Sequence, residues 1–285
     1  MTEKVILKYN VLGDDLYYHH TKTEITGAGY RVSPDAHTQY EVLYLIDGEL
    51  SYVIDGASYQ AKKGDMIFVA PHEIHALFVN GKLPYERMVL LFDMEILLVM
   101  MRKMGVTLGA FSYEKKNRFH IIEKALVEKY GLGALLLQII KSPEDGYKKL
   151  DIISKLINFV IAIDKLISEN TERFKRPDFC DNLVNRLTEY IDANIDKPLD
   201  LDGIAKALLV SKSTLCHKFT SVMSVPVNRY ITMKKIYRGA ELIRSGVSTH
   251  DAARLVGYDA YTSFFYNYKK IIGLPPSAST KDGRV

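Results

Sequence analysis

Between residues 203 and 280 the sequence sets eleven lysines and arginines against three acidic residues, a local net charge of +8. The whole chain of 285 residues carries only +4. Residues 1–177 balance to zero and residues 178–202 are acidic by five charges. A cationic excess of that density suits a polyanion; by itself it equally suits a solvated basic surface, so the spacing of the residues has to decide. Catalytic signatures do not offer a competing chemistry: no GxSxG, P-loop, HExxH or GxGxxG in a βαβ setting occurs. The two cysteines, Cys180 and Cys216, form neither a disulfide framework nor a CxxC zinc pair.

The elements that carry these bases are helices repeated in tandem. Helices are predicted over 182–195, 201–208, 213–222, 227–245, 251–256 and 261–272, with Asp200 or Asp202 and Ser211 as N-caps and Gly246, Gly257 and Gly273 as stops. Ile204, Ala205 and Leu208 match Ala252, Ala253 and Val256 at an offset of 48, and Leu215, Phe219 and Pro226 match Phe264, Tyr268 and Pro275 at an offset of 49. Each copy reads as a short helix, a tight turn and a second helix anchored inward by an apolar i, i+4 pair. That is the helix-turn-helix layout, whose second helix enters the major groove. An intervening helix of about 19 residues at ~1.5 Å per residue spans ~28 Å, which with its turns sets the two second helices about one DNA turn apart.

In order along about residues 182–280, Ala205, Val210-Ser211, Leu215, Phe219, Tyr230-Ile231, Ala240-Glu-Leu242, the run Ala253 to Tyr258, Phe264, Tyr268 to Lys270 and Gly273-Leu-Pro275 resemble the DNA-binding domain of the AraC/XylS family. The resemblance implies a transcription regulator that reads bases with Ser213, Cys216 and His217 in the first copy and with Tyr261, Thr262, Phe265 and Tyr266 in the second. Lys212, Lys269 and Lys270 are the candidates for phosphate contacts, which position without specifying. His217 and Tyr266 stand where the family often has arginine, Lys235 where it often has arginine too, and Ser224 where it has glycine. Neither His nor Tyr copies the guanidinium fork on guanine, so the site preference is expected to differ. Phe265 and Tyr266 read equally well as base contacts or as core.

The first ninety residues read as short strands: 40–46, 49–54, 57–61, 66–70 and 87–92, with Asp47-Gly48 as a hairpin signal and Asp55-Gly56 as the next turn. Strands this short and regularly spaced suggest a small sandwich or barrel. His37, Tyr40-Glu41, Leu45 and Gly48-Glu49, followed by Gly64-Asp65, Pro71 and His75, resemble the cupin sensor domain of AraC-type regulators. By that resemblance His37, Glu41, Tyr44 and His75 are candidate effector-binding residues. Cupins that bind metal use positions comparable to Asp35, His37, Glu41 and His75, a set suited to Mn, Fe or Ni; the same residues serve as hydrogen-bonding groups at a pocket mouth, and the expectation is a small-molecule, sugar-like effector with no metal and no cofactor.

Helical periodicity sets in at 94–105 and 121–140 and is clearest at 147–168, where Ile152, Leu156, Phe159, Ile163 and Leu166 form one stripe and Ile153, Ile157, Val160, Asp164 and Ile167 a second. Two stripes suit a helix that packs on its own domain and on a second subunit; one wide stripe buried within a single chain is the alternative. The expected fold is α+β: a cupin-like β-barrel with appended helices, then an all-α tandem helix-turn-helix. Its parts are a ligand-sensing unit at 1–95, a helical linker and dimerisation region at 96–170 and a DNA-binding unit at 178–285. The chain reads as a cytoplasmic, homodimeric regulator of double-stranded DNA with no membrane span and no catalytic residues. A metal-dependent cupin enzyme with a helical appendage is the competing reading.

Overall fold

The computed structural model describes residues 2–10, 16–24, 30–32, 34–79, 84–94, 97, 101, 103, 105, 106, 108–111, 119–142, 145–174 and 181–279. The expected helix at 94–105 falls largely outside these residues, and Cys180 wholly so.

The described strands are β1 (Thr2–Asn10), β2 (Leu16–Glu24), β3 (Tyr30–Arg31), β4 (Tyr40–Asp47), β5 (Glu49–Ile54), β6 (Ala57–Lys62), β7 (Met66–Val69), β8 (His75–Val79), β9 (Tyr85–Phe92) and β10 (Ile121–Ile122). They form two antiparallel sheets, one in the order β1-β2-β9-β4-β7-β10 and one in the order β3-β8-β5-β6. Strand alternation decides what each face buries. Leu43, Leu45, Ile67, Val69 and Val89 of the larger sheet meet Leu50, Tyr52, Ile54, Leu77 and Val79 of the smaller one between the two layers. Val42, Phe68, Leu90 and Phe92 face the other way and lie under helices.

One turn departs from the sequence reading. Asp55-Gly56 does close the β5–β6 hairpin, with both residues at positive φ, 43° and 87°. Asp47-Gly48 does not join a hairpin: β4 pairs with β7 and β9, and β5 with β6 and β8. The dipeptide instead carries the chain from one sheet to the other, and a Cβ on Gly48 would stand 2.9 Å from the Pro84 carbonyl oxygen. Turn chemistry specifies a reversal; burial of both faces of the chain decides with which neighbour each strand pairs.

Helices α1 (Lys124–Lys129), α2 (Leu132–Ile140) and α3 (Lys148–Glu169) cover the larger sheet. The single helix read at 121–140 is thus a short strand and two helices, divided at Gly131 with φ 65°. On α3 the stripe Ile152, Leu156, Phe159, Ile163 and Leu166 is buried. The second stripe is not free: Val160 is buried, and Ile157 and Ile167 pack against the same core. Leu150 and Ile161 on α3, and Tyr147 at its N-cap, are the large apolar side chains left exposed there.

The C-terminal region is helical: α4 (Asn182–Ala193), α5 (Leu201–Ala207), α6 (Lys212–Met223), α7 (Val227–Arg244), α8 (Thr249–Leu255) and α9 (Tyr261–Ile272). Asp200 caps α5 by accepting from Asp202 and Gly203 N–H, Ser211 caps α6 through Thr214 N–H, and Ser248 caps α8 through Asp251 N–H. Each cap satisfies amides the first turn leaves open, which is why such short helices persist. Leu215 and Phe219 sit in one core with α4, α5 and the first part of α7; Phe264 and Tyr268 sit in another with α8 and the last part of α7. Helix α7 therefore belongs to both repeats. Gly239 lets the second repeat come close, since a Cβ there would stand 2.7 Å from the Phe264 ring.

Candidate functional site

The inward pairs fix what α6 and α9 present outward. Rotation by four residues buries Leu215/Phe219 and Phe264/Tyr268, so the opposite faces must stand in solvent. Ser213 and His217 are exposed on α6, as are Thr262, Phe265 and Tyr266 on α9. Lys212, Lys269 and Lys270 are exposed as well; Lys212 pairs with Asp202 at 2.8 Å. Two of the predicted base readers are held back. Cys216 is partly buried against the first core. Tyr261 stacks on His250 with ring centroids 3.9 Å apart, and its hydroxyl donates to Thr249 Oγ1 at 3.3 Å.

Lys235 has a role that charge alone hid. It is buried, and its ammonium donates to the Lys197 carbonyl at 2.7 Å and the Gly257 carbonyl at 3.1 Å. Burial lowers its pKa. It ties the α4–α5 connection to the turn of the second repeat, and Gly257 must be glycine there because a Cβ would stand 2.7 Å from the Lys197 carbonyl.

In the β region His37, Glu41 and His75 converge. His37 lies just before β4, Glu41 on β4 and His75 at the start of β8, so the cluster bridges the two sheets. Glu41 Oε2 lies 3.0 Å from His37 Nε2 and 3.6 Å from His75 Nε2. Its Oε1 accepts from the Tyr52 hydroxyl at 2.8 Å. Burial would raise the Glu41 pKa, but hydrogen bonds and charge from the two histidines hold it well below the usual carboxylate range. Burial likewise works against a charged His75, and its bond and charge pairing with Glu41 bring it up to about 9. Tyr44 is not brought to this cluster. It is an odd number of residues from Glu41 on the same strand, faces the helices and lies against Gly133 of α2. Asp35 pairs with His75 through the backbone, 2.9 Å in each direction, while its carboxylate accepts from the Ala36 N–H. Tyr52, which the resemblance did not single out, takes Tyr44's place.

A second buried polar group joins the two halves of the chain. Asp55, in the β5–β6 turn, is buried and accepts from Ile74 N–H at 3.1 Å, the Tyr230 hydroxyl at 2.9 Å and the Lys234 ammonium at 3.1 Å. Lys234 also pairs with Asp192 at 3.0 Å. The Tyr237 hydroxyl donates to the Ala36 carbonyl, and Arg244 pairs with Asp93 at 3.2 Å. Tyr230, Lys234, Tyr237 and Arg244 recur at steps of 4, 3 and 7, one face of α7. Ala36, Val53 and Ile74 extend the apolar core of the first repeat into the β region.

Comparison with known proteins agrees with both halves of this geometry. Residues 19–141 match the family model for the AraC-like ligand binding domain, and residues 204–282 match that for a helix-turn-helix domain. The chain belongs to the AraC family. Among its relatives is a putative HTH-type transcriptional regulator of Escherichia coli, YkgA, 29% identical over 40% of this chain and 45% of that protein. The HTH-type transcriptional activator AarP of Providencia stuartii is 27% identical over 36% of this chain and 77% of its own length. This AraC-family chain thus spans about half the length of the first of these relatives. Among solved structures it is similar to the C-terminal domain of AraT, a response regulator from Geobacillus stearothermophilus, with 25% identity, 37% of this chain and 88% of that one covered, and a TM-score of 0.35. The AraC-family match gives no support to the alternative of a cupin enzyme. No described helix is long and apolar enough to cross a membrane.

Proposed function

We propose that the protein is a transcription regulator that binds double-stranded DNA through the outward faces of α6 and α9 and answers to a small molecule bound near His37, Glu41, Tyr52 and His75. Residues 1–95 act as the sensor, 96–170 as its helical support and dimerisation region, and 178–285 as the DNA-binding unit. The observation that carries this reading is the double duty of α7. One face of the helix anchors to the sensor through Asp55, Ala36 and Asp93, while the helix itself belongs to both repeats.

The link from effector to DNA is short. His72 N–H donates to the His37 carbonyl at 2.8 Å, and the His72 ring packs on Tyr237 with centroids 5.6 Å apart. Tyr237 in turn bonds the carbonyl of Ala36, the neighbour of His37. An effector that moves the Ala36–His37 peptide acts on α7 through one residue. It shifts the balance of arrangements only by as much as it prefers one of them. Ser213, His217, Thr262, Phe265 and Tyr266 serve as readers and Lys212, Lys269 and Lys270 as phosphate contacts; Cys216 and Tyr261 act from partly covered positions. Leu150, Ile161 and Tyr147 are the surface on which a second copy pairs, and the compartment is the cytoplasm.

In vitro selection of duplexes by the full chain tests this directly. Affinity for the selected site falls steeply with salt as counterions are released. His217→Ala lowers discrimination between the selected site and its variants by ~1–3 kcal/mol at one base position. A flat salt response, or no selected consensus, overturns the reading.

A further inference from the structure

The outward faces of the two second helices differ in chemistry. On α6 Ser213, Thr214 and His217 are exposed, and each can give or take a hydrogen bond at a base edge. On α9 burial of Phe264 and Tyr268 fixes the opposite face. Thr262, Tyr266 and Lys269, at steps of 4 and 3, run down its middle, with Phe265 on one flank and Ser263 and Lys270 on the other. Base contacts come from the N-terminal residues of such a helix; Lys269 and Lys270 lie in its last turn. Arginine and glutamine, which read guanine and adenine by paired hydrogen bonds, are absent from α9. Its one asparagine, Asn267, is partly buried and donates to the Tyr258 hydroxyl at 3.4 Å. What α9 offers instead is apolar: Phe265 is 38% exposed and Tyr266 67% exposed. The Phe265 ring is braced, since it meets Tyr261 with centroids 6.3 Å apart and Tyr261 stacks on His250 at 3.9 Å.

In the major groove the base that presents an apolar group is thymine, through its C5-methyl. We infer that the second repeat reads thymine by that methyl group, with Phe265, the ring of Tyr266 and the methyl of Thr262 forming the contact surface, while the first repeat reads by hydrogen bonds. The two half-sites are then chemically unlike: donors and acceptors specify one, and methyl groups the other. The inference rests on the DNA-binding reading above and adds to it the kind of base that α9 selects.

The test uses the full chain and the duplex it selects. His217→Ala marks the block of base pairs read by α6, and the other block is that of α9. Deoxyuridine then replaces each thymine in turn, which removes the methyl and keeps every pairing and phosphate group. Burying one methyl group changes affinity about four-fold, so each contacted thymine of the α9 block should lose that much on replacement, and thymines of the α6 block should lose little. In Phe265→Ala the loss at the facing thymine should shrink toward none, a coupling that a general weakening of the complex does not produce. Exchanging a contacted T·A pair for C·G should weaken binding, and 5-methylcytosine in place of that cytosine should recover about the same four-fold, since it returns a methyl at C5. An α9 block without thymine, deoxyuridine without effect anywhere in that block, or a deoxyuridine loss unchanged in both Phe265→Ala and Tyr266→Ala overturns the inference. A duplex still bound with its salt dependence under those outcomes leaves the regulator reading standing; no selected duplex at all sinks both.

Discussion

Ser224→Gly should make the protein more stable, and the structure gives the size of the effect. Ser224 ends α6 in the left-handed conformation, at φ 59°, where the second repeat ends α9 with Gly273 at φ 85°. An L-residue pays about 1–2 kcal/mol in that region. The Ser224 hydroxyl is also buried with no hydrogen-bond partner among the described residues, a cost of about 1–3 kcal/mol. Glycine's extra freedom in the unfolded chain returns about 0.4–1 kcal/mol. The net gain is at least about 1 kcal/mol, or on the order of 4–8 °C for a helical half of about 100 residues melting as a unit. Calorimetry and urea unfolding of the full chain measure it. Ser224→Ala separates the causes, because it removes the hydroxyl and keeps the strained φ; it should recover only part of the gain. If Ser224→Gly melts at or below the wild-type temperature, the backbone at the end of α6 is not strained as described and the reasoning fails.

Three further outcomes follow from other buried groups. Asp55→Ala removes the shared acceptor of Tyr230 and Lys234; since Lys234 keeps Asp192, the loss is about 2 kcal/mol rather than the ~3–5 of a broken isolated pair, and hydrogen exchange should accelerate in the β5–β6 turn and in α7, whereas unchanged protection there would refute the anchor. Lys235→Met leaves the Lys197 and Gly257 carbonyls without their donor and should cost about 2 kcal/mol while weakening binding to the selected duplex; full stability and full affinity together would show that the tie is dispensable. His19, lowered to about 4 first by burial and then by Arg87, stays neutral where the unfolded chain takes up a proton, so stability drops as pH falls from about 6.5 toward 4; urea unfolding at pH 7 and pH 5 should show wild type losing about 1–2 kcal/mol more than His19→Gln, after allowing for the water-facing edge of the ring, and equal losses would refute it.

The helical half was largely legible in the sequence because its signals are local. Capping side chains and stop glycines bound each short helix within a few residues, and the i, i+4 apolar pairs tell which face of α6 and α9 turns outward. What escaped there were groups working at a distance. Lys235 looked like one more positive charge, although its bonds reach 38 and 22 residues away. The β half was less legible. Its hairpin dipeptides look alike, yet only Asp55-Gly56 joins paired strands, since pairing depends on partners remote in sequence. The sequence marks His75 but not its place as the first residue of β8, and the bond from Tyr52 to Glu41 is not legible there because the two meet only once the two sheets face each other. Tyr44 stands three residues from Glu41, so the two-residue alternation of β4 puts it on the opposite face. The second stripe of α3 turned inward because one helix covering a broad sheet face needs a wide apolar surface.

The hydrogen bonds and ion pairs described above between the sensor and the helical half end on α7, which both repeats share, so in the proposed regulator a signal passed through them reaches both ends together. A signal received at the sheets swings the pair as a single jaw, keeping the distance between its teeth. For the proposed dimer, the footprint of one subunit on the duplex would then be constant, and a signal would change where it falls relative to the footprint of the second subunit. Operators for this protein should therefore tolerate substitutions between paired half-sites far better than a single base inserted inside one of them.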